Sequence, residues 1–175
     1  MSETIEFKAD SQSQTLLTEF AQGQTPKKVA FINSTKDRRI AKVNFEFEAQ
    51  GDINNGEYGY SILCKFVEPE DLEFFEEIEK KAANFLPKDI EFKSILKEEK
   101  IFIKLATKDG KFTARTDPHI SPDQLDKSNI HQGSLLDVEL QPNIWVNFER
   151  RSAGLYLKIF DITINGGKRK SNKRR

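Results

Sequence analysis

The chain has little of the residue chemistry on which most metalloproteins and many enzymes depend. Its 175 residues include one cysteine and two histidines. Because Cys64 is alone, an internal disulfide is excluded, which is typical of proteins from reducing compartments. His119 and His131, taken with that cysteine, lack the short ligand spacings of a zinc site. We therefore expect neither a disulfide nor a bound metal.

Other absences narrow the class further. No apolar run reaches the ~18 residues of a transmembrane helix, and the acidic start Met1–Glu6 lacks the basic and apolar parts of a signal peptide. A glycine-rich phosphate loop and a dinucleotide fingerprint are both missing. The sequence predicts a non-enzymatic intracellular protein, in the nucleus or cytoplasm, with no cofactor and no membrane partner.

The net charge of zero hides a separation of charge along the chain. Residues 68–79 hold seven carboxylates and no cation, whereas residues 27–42 hold six cations against one aspartate. Residues 93–115 hold seven cations against three acids, and residues 168–175 hold six cations. Because phosphates attract cations, these basic segments favour a nucleic acid partner. A β-rich domain with an ordinary charged surface is the alternative.

Alternation of apolar and polar residues predicts about eight strands. The clearest lies at 41–49, where Val43, Phe45 and Phe47 alternate with polar residues. A second runs from Tyr58 to Phe66, after the hairpin signal Asn55-Gly56. Further strands are expected at 27–32, 101–106, 112–116, 135–140, 144–149 and 155–164, with a turn at Gln141-Pro142-Asn143.

One amphipathic helix is predicted inside this series of strands, from Glu68 to Phe85. Pro69 suits a first helical position, and the helix dipole favours the acidic residues of the first turns. The helix presents one apolar stripe and ends before Pro87. Strands on both sides of one helix favour a mainly β fold, an antiparallel oligonucleotide-binding-like barrel with one inserted helix. Its core is expected to contain Phe45, Phe47, Ile103, Leu105, Val146, Leu157 and Ile159.

The chain is predicted to have three parts. Residues 1–26 form an N-terminal arm, in which the spacing of Leu16, Leu17 and Phe20 allows a short docked helix. Residues 27–167 form a single barrel domain. Residues 168–175 form a disordered basic tail, since they have no apolar surface to bury. The tail could bind nucleic acid, act as a nuclear localisation signal, or only aid solubility.

Three predicted strands carry aromatic and basic side chains on the face opposite the expected core. A ring stacked on an unpaired base contributes roughly 1–3 kcal/mol with any base, and the neighbouring cations suit phosphates. This face could instead pack under the helix or the arm. The expected nucleic-acid-binding residues are Phe102, Lys104, Lys111, Arg115, Trp145, Arg150, Arg151, Tyr156, Lys158, Lys168, Arg169, Lys170, Lys173, Arg174 and Arg175.

From the predicted helix to Ile164 the sequence resembles the single-stranded DNA-binding proteins of podophages and of nucleocytoplasmic large DNA viruses. The resemblance is carried by IKLATKDGKFTARTDPHISP at 103–122, the Ile130–Ser134 turn and GLYLKIFDITI at 154–164, and it covers about 100 of the 175 residues. It implies an oligonucleotide-binding barrel that coats single-stranded DNA in replication or recombination with little sequence preference. The chain departs from that family at 168–175, where basic residues replace an acidic, partner-recruiting tail.

Two other functions remain open at this point. One is an RNA-binding, packaging or movement-type viral protein whose basic tail supplies most of the affinity. The other is a non-enzymatic structural β-domain that binds proteins. The expected partner is single-stranded nucleic acid, with DNA favoured over RNA, and self-association is left open.

Overall fold

The computed structural model describes residues 5–52, 54–56, 59–105, 114–115 and 130–164. Within these residues there are two helices and eleven strands. The helices are α1 (Ser11–Ala21) and α2 (Pro69–Phe85). The strands are β1 (Glu6–Ala9), β2 (Ala30–Lys36), β3 (Arg39–Ile40), β4 (Val43–Ala49), β5 (Asn54–Gly56), β6 (Gly59–Phe66), β7 (Glu91–Lys93), β8 (Lys100–Leu105), β9 (Ala114–Arg115), β10 (Leu135–Asn147) and β11 (Ser152–Ile164).

The described residues divide into two compact units. Unit 1 takes its residues from Met1–Lys42, Glu73–Ile95 and Gln141–Lys158. Unit 2 takes its residues from Val43–Leu72, Leu96–Leu140 and Ile159–Arg175. Strands β10 and β11 contribute residues to both units.

In unit 1, strand β2 is the common partner. It pairs antiparallel with β1, with β3 and with residues 144–146 of β10. The hairpin strands β10 and β11 pair with each other, and β11 also pairs parallel with β7 at residues 152–154. This arrangement places β2, β10 and β11 side by side.

Helix α1 hydrogen-bonds strand β2 just beyond the end of its pairing with β1. The Asp10 carboxylate caps the helix by accepting from the Ser13 N–H at 2.8 Å. The Ser13 hydroxyl donates to the Phe31 carbonyl at 2.9 Å and accepts from the Phe31 N–H at 3.2 Å. Since β1 ends at Ala9, opposite Ile32, this hydroxyl serves Phe31 as a substitute for a strand partner.

In unit 2, strand β4 lies between residues 135–140 of β10 and strand β6. Strand β6 also pairs with β5 and β8, and the end of β11 pairs parallel with β9. The rings of Phe45, Phe47 and Phe66 form a cluster, with centres 4.8–6.0 Å apart. Cys64 of β6 is buried and pairs in register with Ala49 of β4. Burial raises the pKa of its thiol, as is typical of a core cysteine.

The predicted core is confirmed in its larger part. Four of the expected residues are buried, namely Phe45, Phe47, Ile103 and Val146. Leu157 and Ile159 are only half-buried, so the prediction was too strong for them. The Leu105 side chain lies outside the described part of the structure.

The mainly β, antiparallel architecture is confirmed, but the closed barrel is wrong for the described residues. Closure would require the first and last strands of the path to pair. The path instead runs from β1 to β5 through an open sheet, which is antiparallel apart from two short parallel pairs. The short helix that the spacing of Leu16, Leu17 and Phe20 allows in the arm is present as α1, in addition to the inserted helix α2.

The predicted turn at Gln141-Pro142-Asn143 is wrong, because β10 runs through it without interruption. Proline lacks an N–H for the strand ladder, and here side chains supply the missing bonds. The Asn143 Oδ1 accepts from the Ser34 N–H at 2.9 Å, and the Gln141 Nε2 donates to the Ser34 carbonyl at 3.0 Å. At Pro142, β10 changes its partner from β4 to β2.

The hairpin signal at Asn55-Gly56 is correct for a hairpin but displaced along the chain. Both residues lie in β5, and Gly56 pairs with Gly59 of β6. The chain therefore reverses after Gly56.

Helix α2 agrees with its prediction to within one residue. Phe75, Ile78 and Ala82 of the apolar stripe are buried. Glu79 is also buried, and its two oxygens accept from the Ser94 hydroxyl at 2.7 Å and the Ile95 N–H at 3.0 Å. Burial raises the pKa of the Glu79 carboxyl, although these hydrogen bonds oppose the shift. No helix in the described ranges is long and apolar enough to cross a membrane.

Glu79→Gln is expected to weaken the pH dependence of stability. Because the folded chain holds this proton more tightly than the unfolded chain, the contribution of Glu79 is complete below the unfolded pKa of about 4.3. It is lost as the pH rises through the raised folded pKa. Urea unfolding of both proteins from about pH 4 to pH 7 measures the difference. Asp71, whose pKa burial also raises, is present in both, so an identical pH slope would contradict the assignment.

Candidate nucleic-acid interface

Three large side chains of unit 1 are exposed on strands β2 and β11 or one residue before β2. Phe31 is 50% exposed, Tyr156 is 45% exposed, and Val29 is 41% exposed. On β2, the neighbours Ala30 and Ile32 are buried. Phe31 therefore lies on the face of β2 opposite the core, since successive side chains of a strand point to opposite faces.

Trp145 and Tyr156 adjoin Phe31 on this face. Trp145 is the register partner of Phe31 across β10 and β2, and such partners share a face of the sheet. The Phe31 and Tyr156 ring centres are 6.1 Å apart, with an edge-to-face angle of 64°. We call Phe31, Trp145 and Tyr156 the aromatic surface.

The backbone of Gly154 supports the indole of Trp145. A Cβ at Gly154 would lie 3.2 Å from the Trp145 Nε1 and 3.1 Å from the Lys93 carbonyl oxygen. These distances are tighter than a Cβ normally makes, so a side chain at residue 154 would require the indole or the carbonyl to shift by a few tenths of an ångström. The indole therefore lies against strand β11. Trp145 is half-buried as a result, with one part fixed by the sheet and another part open to solvent.

Exposed lysines border the aromatic surface. Lys158 follows Tyr156 by two residues on β11 and is exposed, so it shares the face of that ring. Lys93 is exposed and pairs in register with Gly154, beneath the indole. Lys28 is exposed just before Val29. The arrangement combines flat rings with positive charge, which suits unpaired bases and phosphates.

The two arginines of the β10–β11 turn have different surroundings. Arg150 is exposed, and its backbone N–H donates to the Asn147 Oδ1 at 3.1 Å. Arg151 has a positive φ of 52°, and its guanidinium lies 5.5 Å from the centre of the Phe20 ring. This cation–π contact fixes Arg151 against helix α1.

The remaining predicted residues are in unit 2 or outside the described ranges. Phe102 is 50% exposed on β8 between the buried Ile101 and Ile103, as its alternation predicts. Lys104 and Arg115 lie in β8 and β9, and their side chains are outside the description. The same holds for the whole of Lys111, Lys168, Arg169, Lys170, Lys173, Arg174 and Arg175.

The structure thus joins Trp145 with Tyr156 and adds Phe31, which the sequence analysis missed. The signal was present in the segment KKVAFINS. Ala30, Ile32 and Ser34 form its buried row, so Val29 and Phe31 form the opposite one. Because both rows are apolar, alternation alone did not distinguish the core face from the exposed face.

Among the described residues, no group of three or more His, Cys, Asp or Glu side chains is placed to hold a metal ion. Comparison of the chain with protein-family models, curated proteins and solved structures finds no match.

Proposed function

We propose that this protein binds single-stranded nucleic acid, DNA in preference to RNA, with little sequence preference. Its role would be to coat single-stranded DNA during replication or recombination. The observation that supports this proposal best is the exposed contact between Phe31 and Tyr156, beside the half-buried Trp145 and the exposed Lys158.

The physical reason lies in the cost of exposing rings. Single exposed apolar residues are common on proteins, but adjoining exposed rings on regular strands indicate a contact surface. Bases stack on aromatic faces whatever their identity, since every base has a π face. Lysines near such rings add attraction to the phosphates without reading sequence.

Trp145 is the only tryptophan, so its emission reports directly on this surface. Adding oligo(dT) to the full-length chain is expected to quench that emission to saturation. Trp145→Ala should weaken binding by roughly 1–3 kcal/mol, measured by anisotropy of a labelled oligonucleotide. Parallel titrations with oligo(rU) and duplex DNA measure the expected preference for single-stranded DNA.

Phe85→Ala provides a matched control. Phe85 is also an exposed ring of unit 1 (39% exposed), but it lies on α2 against Phe7. Its loss should leave affinity unchanged. An indole emission indifferent to every oligonucleotide, with no binding at moderate salt, would exclude the proposal and favour the protein-binding β-domain. Loss of all binding on deletion of residues 168–175 would favour the packaging function.

A further inference from the structure

We infer that the β2–β3 hairpin binds the phosphodiester backbone of the same single-stranded nucleic acid, through Arg38 and Arg39. This inference rests on the proposed function. It concerns residues 36–42, which hold four cations and one aspartate. None of the expected nucleic-acid-binding residues lies in this segment.

The hairpin has an unusual tip. Asp37 and Arg38 both have positive φ angles, 54° and 65°, between the paired residues Lys36 and Arg39. A two-residue turn of this kind favours Asn-Gly, because glycine adopts positive φ without steric cost. An arginine at the second position is conformationally unfavourable, so the turn itself does not require the cation that is placed there.

The surroundings of the tip suit a chain of phosphates. Arg38, Arg39 and Lys42 are exposed, and Ile40 is 55% exposed between them. Lys36, Arg39, Ile40 and Lys42 line a shallow concavity together with Asp37. Guanidinium groups bind phosphate oxygens with two parallel hydrogen bonds, and an adjacent apolar side chain suits a sugar or base edge.

Strand β2 connects this hairpin to the aromatic surface. Phe31 and Lys36 lie on the same strand, five residues apart, which is about 17 Å of extended chain. Both belong to unit 1. Thr35 shares the face of Phe31 and pairs in register with the exposed Ile40, whereas Lys36 and Arg39 pair on the opposite face. A nucleic acid strand stacked on Phe31 can therefore follow β2 as far as Ile40 and meet the two arginines where it crosses the hairpin tip, provided that it is long enough.

Another two-residue turn with positive φ angles, at Glu98 and Glu99, supplies a matched control. Glu98 and Glu99 have φ angles of 54° and 68° between Lys97 and Lys100, whose backbones exchange hydrogen bonds of 2.8 and 3.0 Å. Glu99→Gly and Arg38→Gly thus make the same conformational change at equivalent turn positions. Only the second removes a cation.

The experiment is a salt series of oligo(dT) titrations with these variants of the full-length chain. Arg38→Gly should keep its Tm or raise it by up to about 4 °C. Its affinity for an oligonucleotide of about 16 residues should fall about fivefold at ~0.1 M salt, and the salt slope should fall by about 0.7. The penalty should shrink for an oligonucleotide of about 4 residues, which is too short to reach both sites. Arg38→Lys keeps the charge but not the paired hydrogen bonds, so it should keep the salt slope of the wild type and lose less affinity than Arg38→Gly. Glu99→Gly should bind as tightly as the wild type or more tightly.

The outcomes separate the two proposals. If the wild type quenches Trp145 emission but Arg38→Gly binds the long oligonucleotide with unchanged affinity and salt slope, the hairpin inference is wrong and the aromatic surface stands. An equal loss of affinity with Glu99→Gly would also overturn the inference, because the change in turn conformation, and not the removal of a cation, would then explain the loss. If the wild type binds no oligonucleotide, the proposed function fails and the hairpin inference fails with it.

Discussion

Replacing Phe31 and Tyr156 together by alanine is expected to weaken oligo(dT) binding by about 2–6 kcal/mol. This range sums roughly 1–3 kcal/mol for each stacked ring and corresponds to a loss of roughly 30-fold to 20,000-fold in affinity. Anisotropy titration of a labelled oligonucleotide measures it. Since the rings are half-exposed and their centres are 6.1 Å apart, the fold should tolerate their loss.

The two single variants make this a double-mutant cycle. Rings in contact are energetically coupled, so the double variant should differ from the sum of the single variants. A melting curve of each variant separates loss of binding from loss of structure. Affinity within about 0.5 kcal/mol of the wild type in the double variant would contradict stacking of the bound strand on Phe31 and Tyr156.

The Phe102→Ala variant provides a comparison with Phe31→Ala. Phe102 has the same 50% exposure as Phe31, but it lies on β8 in unit 2. The sequence predicts that Phe102→Ala also weakens oligo(dT) binding, and this stays a prediction. A loss with both Phe31→Ala and Phe102→Ala would indicate that each unit contributes a ring to the bound strand.

Local patterns in the sequence were sufficient where one face of an element is apolar and the other polar. Helix α2 was predicted because its apolar stripe and Pro69 specify both its type and its start. Strand β4 was predicted because Val43, Phe45 and Phe47 alternate with polar residues. Burial departs from that pattern at Glu46, which is also buried. Its N–H donates to the Asp71 carboxylate at 3.4 Å, a contact between residues 25 positions apart that no local pattern reveals.

Distant hydrogen bonds also explain the error at Pro142. A proline between two polar residues is typical of a turn, because proline cannot donate to a strand ladder. Here Gln141 and Asn143 donate to and accept from the backbone of Ser34, which lies over a hundred residues earlier in the chain. The strand continues because its partner is satisfied by side chains.

The candidate site was predicted in part for a related reason. Trp145 and Tyr156 alternate with plainly apolar neighbours, so their face could be assigned from the sequence. Phe31 could not be assigned to a face, since its exposure depends on contacts with distant residues. Strand β2 pairs with β10 at Phe31, and the Ser13 hydroxyl hydrogen-bonds the Phe31 backbone. The closed barrel failed for a similar reason, because strand count and alternation do not determine whether the first and last strands meet.

Phe47→Ala is expected to destabilise the fold by about 3–5 kcal/mol through the cavity that it leaves. Phe47 is completely buried, pairs in register with Phe66, and has ring contacts with Phe66 at 4.8 Å and Phe45 at 6.0 Å. Urea unfolding followed by circular dichroism measures the loss. Phe47→Leu should cost less, because a smaller volume is left unfilled.

The comparison with Phe31→Ala makes this prediction sharp. Both substitutions remove a phenylalanine ring from a strand, but Phe31 is half-exposed whereas Phe47 has no exposed surface. Stability should therefore fall far more with Phe47→Ala, while oligo(dT) affinity, measured well below the melting temperature, should fall far more with Phe31→Ala. Equal effects of the two variants on stability would contradict the assignment of Phe47 to the core and of Phe31 to the surface.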